Sequence, residues 1–92
     1  MKHLRYSFIS RPKEGEKANG DLVGVINEDG NYLFYVIDVL GHGSEAQEVA
    51  INLKKIIEQF WQKSLDEIIL KCHEGILGSR GAALFLTRFL MK

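Results

Sequence analysis

The fold of this chain is decided by one stretch, Val36-Ile37-Asp38-Val39-Leu40-Gly41-His42-Gly43-Ser44-Glu45-Ala46. It reads as an apolar strand that ends on a carboxylate, turns through two glycines and continues into a helix. An aspartate at the end of a buried strand costs free energy unless a cation or hydrogen-bond donors meet it. A glycine turn lets the backbone approach whatever that carboxylate holds. The stretch therefore predicts a strand-to-helix corner that carries a binding site.

A second carboxylate lies upstream, in Gly20-Asp21 at the head of an apolar strand predicted over residues 22–27. Asp29-Gly30 is a tight-turn signal, so this strand and the next, over residues 31–40, should form a hairpin. Because an antiparallel hairpin brings its open ends together, we expect Asp21 and Asp38 to reach one site. Two carboxylates beside a glycine turn suit Mg²⁺ or Mn²⁺ better than zinc.

Two helices are predicted after the glycine turn. Ser44 begins the first, with Gln47 completing a capping-box pattern, and apolar residues at helical spacing give it about 18–20 residues with one buried face. Ser64 and Glu67 repeat the capping box for a second helix, which glycines end near residues 75–78.

Strands are predicted at both ends of the chain. Residues 3–9 alternate apolar and polar side chains, as a half-buried strand does. Residues 80–89 form an apolar segment that predicts a fourth strand. The order of elements is then βββααβ, which is an α+β fold with a mainly antiparallel sheet and two helices on one face.

Composition indicates an ordinary globular chain, with 46% hydrophobic and 26% charged residues. Twelve basic and twelve acidic residues cancel, so charge gives no argument for a nucleic acid or an anionic membrane as partner. Cys72 is the single cysteine, which excludes an internal disulfide and fits a reducing compartment. No apolar run approaches the roughly 20 residues that span a bilayer, and no signal peptide is visible. We expect one cytoplasmic domain over residues 1–92.

Three segments together resemble a known family. They are Gly20-Asp21, the stretch from Val36 to Ala46, and Ser79-Arg80-Gly81-Ala82-Ala83. In order and spacing they resemble the SpoIIE-type branch of PP2C-like serine/threonine phosphatases, and within it the small RsbX-like phosphatases of stress-signalling modules. The resemblance implies half of an αββα sandwich, and an activity that uses two Mn²⁺ or Mg²⁺ ions to hydrolyse phosphoserine or phosphothreonine. Its implied partner is a phosphorylated regulatory protein, a STAS-type component of an anti-sigma pathway.

The resemblance also assigns site residues. It implies that Asp21 and Asp38 are metal ligands, with Asp38 bridging both ions, and that the backbone carbonyl of Val39 is a third ligand. It implies a supporting role, on the side of the phosphate, for the turn residues Gly20, Gly41, His42, Gly43 and Ser44. It does not make His42 a general acid, because its offset from Asp38 differs from that of the acid histidine in eukaryotic relatives.

The same resemblance implies that part of the site is missing. Family members continue beyond the Arg-Gly-Ala strand and place their remaining metal aspartates there. The other aspartates of this chain, Asp29 and Asp66, fall in a hairpin turn and at a helix start, where neither can replace them. We therefore expect the chain to correspond to the N-terminal half of such a domain, with weak or no activity alone.

Simpler interpretations of these residues stay open. Asp38 can be a carboxylate that caps the glycine turn, and Gly20-Asp21 can be an ordinary turn dipeptide. His42 can bond the backbone of the turn, and the glycines can serve the turn alone. Cys72 fits a small core residue on the apolar stripe of the second helix.

Three functions compete at this point. The first is metal-dependent phosphoprotein hydrolysis, and the second is a non-catalytic, phosphatase-like module that binds a regulatory protein through a sheet edge. The third is a small-molecule-binding α+β domain without metal. Since residues 80–89 are apolar on both faces, we also expect a homo-oligomer, a dimer or larger.

Overall fold

The computed structural model describes residues 21–41 and 43–91. These residues form a three-stranded antiparallel sheet, ordered β1-β2-β3, and two helices. The elements in chain order are β1 (Asp21–Glu28), β2 (Asn31–Val39), α1 (Gly43–Phe60), α2 (Leu65–Gly75) and β3 (Ala82–Leu90). This confirms the α+β class and the predicted order from the hairpin onward. The strand predicted over residues 3–9 lies outside the described residues.

The β1–β2 hairpin turns where the sequence predicts it. Asp29 and Gly30 have φ angles of 52° and 80°, and two consecutive residues with positive φ make the type I′ turn that joins twisted antiparallel strands. Glu28 pairs with Asn31 next to the turn, and the register runs without a bulge from there to the open end.

One face of the sheet is buried against the helices. Alternate residues of β2 point into the core, because successive side chains of a strand face opposite sides. The buried apolar residues are Leu33, Tyr35, Ile37 and Val39 of β2, Ala46, Ala50, Leu53 and Ile57 of α1, Trp61 after it, and Ile68 and Cys72 of α2. Full burial of one Leu or Ile side chain contributes about 1.5–3 kcal/mol. Cys72 is therefore a core residue, as predicted.

The turn between the helices is fixed from both sides. The Ser64 hydroxyl accepts a hydrogen bond from the backbone N–H of Glu67 at 3.2 Å, which confirms the predicted cap of α2. From β3, Arg88 Nη2 donates to the carbonyls of Trp61 and Lys63. These carbonyls follow the C-terminus of α1, where a cation is favourable.

Two predicted boundaries are wrong by one or two residues. Helix α1 begins at Gly43, so Ser44 lies in its first turn and is not the residue that precedes it. Strand β3 begins at Ala82, not at residue 80. Val39, the last residue of β2, pairs with Ala82, so residues 80 and 81 have no strand residue opposite them.

Candidate metal centre

Asp21 and Asp38 face each other across the first two strands. They are the last register pair of the hairpin, at its open end, and both residues are exposed. The Cβ atoms of directly opposite residues in an antiparallel pair are about 4.5–5.5 Å apart, and their side chains leave the same face of the sheet. The structure thus confirms that the hairpin brings the two carboxylates to one place.

The two aspartates lie on the outer face of the sheet, opposite to the helices. The alternation along β2 puts Ile37 and Val39 in the core and Asp38 on the other side. The neighbour of Asp38 on β3 is Ala83, whose small side chain leaves room beside the carboxylates. A cation held there would sit at the rim of the outer face, in contact with solvent.

The residues that follow Asp38 are suited to this corner by their backbone conformation more than by the chemistry of their side chains. The Val39 side chain is buried in the core, so any contribution of Val39 to a site would come from its carbonyl. Gly41 and Gly43 have φ angles of 97° and 83°, which other residues adopt at a cost. These glycines are needed for the strand-to-helix turn itself. Gly20 and His42 lie outside the described residues, so the roles expected for them stay predictions.

The described residues supply an incomplete set of ligands. Within residues 21–41 and 43–91, no group of three or more His, Cys, Asp or Glu side chains is placed to hold a metal ion. Asp29 lies at the opposite end of the hairpin and Asp66 in the first turn of α2. Asp21 and Asp38 are the hard oxygen donors that Mg²⁺ and Mn²⁺ prefer. The donors therefore fit the expected metal in kind but not in number.

A cavity of about 770 Å³ lies next to this corner. Its walls come from the end of β2 with Gly41, the first turns of α1 with Glu45 and Glu48, and the loop before β3 with Ser79 and Arg80. This cavity could not be predicted from the sequence, because Arg80 was expected inside a strand. Gly78, Ser79 and Arg80 precede the start of β3 at Ala82 and line the cavity together with the end of β2.

The deciding comparison is with a phosphoserine phosphatase of Bacillus subtilis (strain 168), RsbX. The two sequences are 29% identical over 80 residues, which cover 87% of this chain and 40% of RsbX. A crystal structure of RsbX in complex with magnesium superimposes with a TM-score of 0.81 at 27% identity, over 89% of this chain and 41% of that one. The chain resembles part of RsbX.

A second solved structure agrees with the likeness to RsbX. It comes from work on the bacterial stressosome, described as a modular system adapted to control secondary messenger signalling. It matches with a TM-score of 0.82 at 35% identity, over 87% of this chain and 42% of that chain. No family model matches the sequence.

The chain spans about 40% of the length of RsbX. This share fits the prediction that it corresponds to half of a SpoIIE-type, PP2C-like domain. None of the helices in the described part of the chain is long and apolar enough to cross a membrane.

Proposed function

We propose that this chain is the Asp21- and Asp38-bearing part of an RsbX-type, metal-dependent phosphoserine/phosphothreonine protein phosphatase. One observation carries the proposal: the two aspartates are direct cross-strand partners in a chain whose fold matches a magnesium-bound RsbX structure. Two carboxylates side by side offer a divalent cation two hard oxygen ligands. A site for a divalent cation explains why both are found at this position.

In this proposal, Asp21, Asp38 and the carbonyl of Val39 hold Mn²⁺ or Mg²⁺ weakly. Such ions, when bound as a pair, supply hydroxide at neutral pH and neutralise the charge of a phosphoryl group. The contribution of this chain is to place two carboxylates on one rigid hairpin, since a rigid support keeps ligands in position. The remaining ligands have to come from outside the described residues.

The expected setting is bacterial stress or sigma-factor signalling in the cytoplasm. The proposed substrate is a phosphorylated regulatory protein, of the STAS type in an anti-sigma pathway. Support comes from the phosphoserine phosphatase RsbX and from the similar chain solved in the stressosome study.

A chimera tests the proposed function directly. The matching segment of RsbX is replaced by this chain, and Mn²⁺- or Mg²⁺-dependent hydrolysis of p-nitrophenyl phosphate is measured. We expect activity in the chimera, a loss of at least about tenfold with Asp38→Asn, and little change with Asp29→Asn, the matched substitution at the other end of the hairpin. Equal activity of the Asp38→Asn and Asp29→Asn chimeras would contradict the proposal.

For the isolated chain, we expect hydrolysis to be absent or very slow. An ion with too few protein ligands is poorly positioned to lower the pKa of its bound water. Turnover by the isolated chain comparable with that of RsbX would show that two carboxylates suffice.

The outer face of the sheet favours a second candidate function, a non-catalytic interaction module. Its exposed apolar residues include Val36 (42% exposed), Phe85 (61%) and Phe89 (49%). The register places Val36 beside Phe85, and the Phe89 ring packs edge-on against Phe34 with centroids 5.7 Å apart. We propose that a second copy of the chain covers this face, because a two-fold interface is self-complementary and the net charge of +0 does not oppose association.

A further inference from the structure

The cavity beside the glycine corner is lined by Arg80, which has no ion-pair or hydrogen-bond partner in the described part of the chain. Among residues 21–41 and 43–91, no carboxylate lies within ion-pair distance of Arg80, and its side chain makes no hydrogen bond there. Its Cδ and Nη1 atoms lie 3.8 and 3.9 Å from the point where a Cβ on Gly41 would be. The Arg80 side chain therefore lies over the glycine turn, at ordinary contact distance from Gly41.

The backbone holds Arg80 at a fixed position relative to the aspartates. The Leu40 N–H donates to the Gly81 carbonyl at 2.9 Å, and the Ser79 hydroxyl accepts from the Gly81 N–H at 3.1 Å. Asp38 is paired with Ala83, and Arg80 precedes Ala83 by three residues, so its backbone lies at most roughly 10 Å from that of Ala83. The cavity of Arg80, on the helix side, and the carboxylates, on the outer face, thus lie at the same end of the sheet.

The cavity also carries two negative charges. Glu45 and Glu48, one turn apart on α1, line the same space as Arg80. Neither is close enough to Arg80 to form an ion pair. The cavity thus offers one unpaired cation and two carboxylates, which together match a ligand that carries charges of both signs.

We propose that Arg80 is a positioning residue for the phosphate of a phosphoserine peptide, and that Glu45 and Glu48 receive a basic residue next to that phosphoserine. This inference rests on the proposed function and deepens it, because it names the class of substrate. A guanidinium donates two parallel N–H hydrogen bonds to a phosphate, which orients the phosphate and attracts its negative charge. Lysine or arginine beside the phosphoserine then meets the two glutamates.

The test measures peptide binding in the presence of EDTA, so that it does not depend on a metal. Two phosphoserine peptides are titrated into the ¹⁵N-labelled chain, one with lysine beside the phosphoserine and one with glutamine there. We expect shifts of the amide signals of residues 78–81, tighter binding of the lysine peptide, and no binding of the unphosphorylated peptide. Arg80→Gln should weaken binding at least about tenfold, as the loss of a charge-assisted hydrogen bond does.

Three further variants identify the cause of any change. Arg80→Lys should restore only part of the affinity, because an ammonium lacks the planar fork. The double variant Glu45→Gln, Glu48→Gln should lower the affinity for the lysine peptide alone. Lys63→Gln removes an exposed charge after α1 and should leave the affinity for both peptides unchanged. These residues are exposed, and circular dichroism checks that each variant folds.

Two results would overturn the inference: equal binding by Arg80→Gln and the unchanged chain, or equal binding of phosphorylated and unphosphorylated peptides. A separate measurement of Mn²⁺ binding tests the proposed metal site independently of peptide binding. Asp38→Asn should abolish that binding and leave peptide binding in EDTA intact.

Discussion

Asp21 of β1 and Asp38 of β2 are direct cross-strand partners at the open end of the hairpin, on the face of the sheet that the helices leave uncovered. In a pair of strands, directly opposed like charges lower the stability of the fold, and a cation that binds only the folded chain raises it. The same pair can therefore be tested through the stability of the fold as well as through the binding of metal.

Without divalent cations, Asp38→Asn should stabilise the chain. Removing one of two directly opposed like charges is expected to raise the free energy of unfolding by about 0.2–1 kcal/mol. Urea unfolding in EDTA measures this, with Asp29→Asn as the control, because asparagine also tolerates the positive φ at that position. With Mn²⁺ present, the unchanged chain should be more stable than Asp38→Asn, because only the chain with both carboxylates is stabilised by binding the ion. A variant that is less stable than the unchanged chain in EDTA would mean that Asp38 has a structural role.

Gly24 should not tolerate alanine. It pairs with Tyr35 across the hairpin, and an added Cβ would collide with the hydroxyl end of the buried Tyr35 ring. Overpacking of this kind costs typically about 1–3 kcal/mol. The cost of Gly24→Ala should fall in a Tyr35→Leu background, because leucine lacks both the outer ring carbons and the hydroxyl that the added Cβ would meet. Equal costs of Gly24→Ala in the two backgrounds, measured by a double-mutant cycle, would contradict this explanation.

Cys72 should make the free energy of unfolding depend on pH in the alkaline range. Burial raises the pKa of its thiol to about 11 from the ordinary value of 9.0. The unfolded chain then loses its proton first, so the contribution of the neutral thiol is complete below the unfolded pKa and declines as pH rises from there through the folded pKa. Cys72→Ala should flatten this part of the stability curve between about pH 9 and 11. An unchanged slope would exclude the thiol as its source.

The outer face should drive self-association. Phe85→Lys introduces a charge at its centre, and we expect it to shift the chain from dimer or larger toward monomer in light scattering. Leu77→Lys is the matched control, because Leu77 is 72% exposed in the loop after α2 and lies away from the sheet. A monomeric chain at high micromolar concentration, without substitution, would contradict the proposed second copy.

The sequence predicted the fold well where local signals act alone. The Ser64 cap fixes the start of α2. The alternation of side chains and the Asp29-Gly30 turn set the register that places Asp21 opposite Asp38. The end of β2 at Val39 could not be predicted, since it depends on which residues find a partner across the sheet. Because Val39 pairs with Ala82, Arg80 lies in the loop before β3. The cavity that Arg80 lines could therefore be found only in the structure.

In the proposed function, Asp21 and Asp38 together bind a divalent cation. Titration of Mn²⁺ into the ¹⁵N-labelled chain tests it most directly, because the ion broadens the amide signals of nearby residues. We predict selective broadening around residues 21–22 and 37–39, weak affinity and competition by Mg²⁺. Most of the effect should be lost in Asp38→Asn but not in Asp29→Asn. Broadening that is equal in Asp38→Asn and the unchanged chain would contradict it.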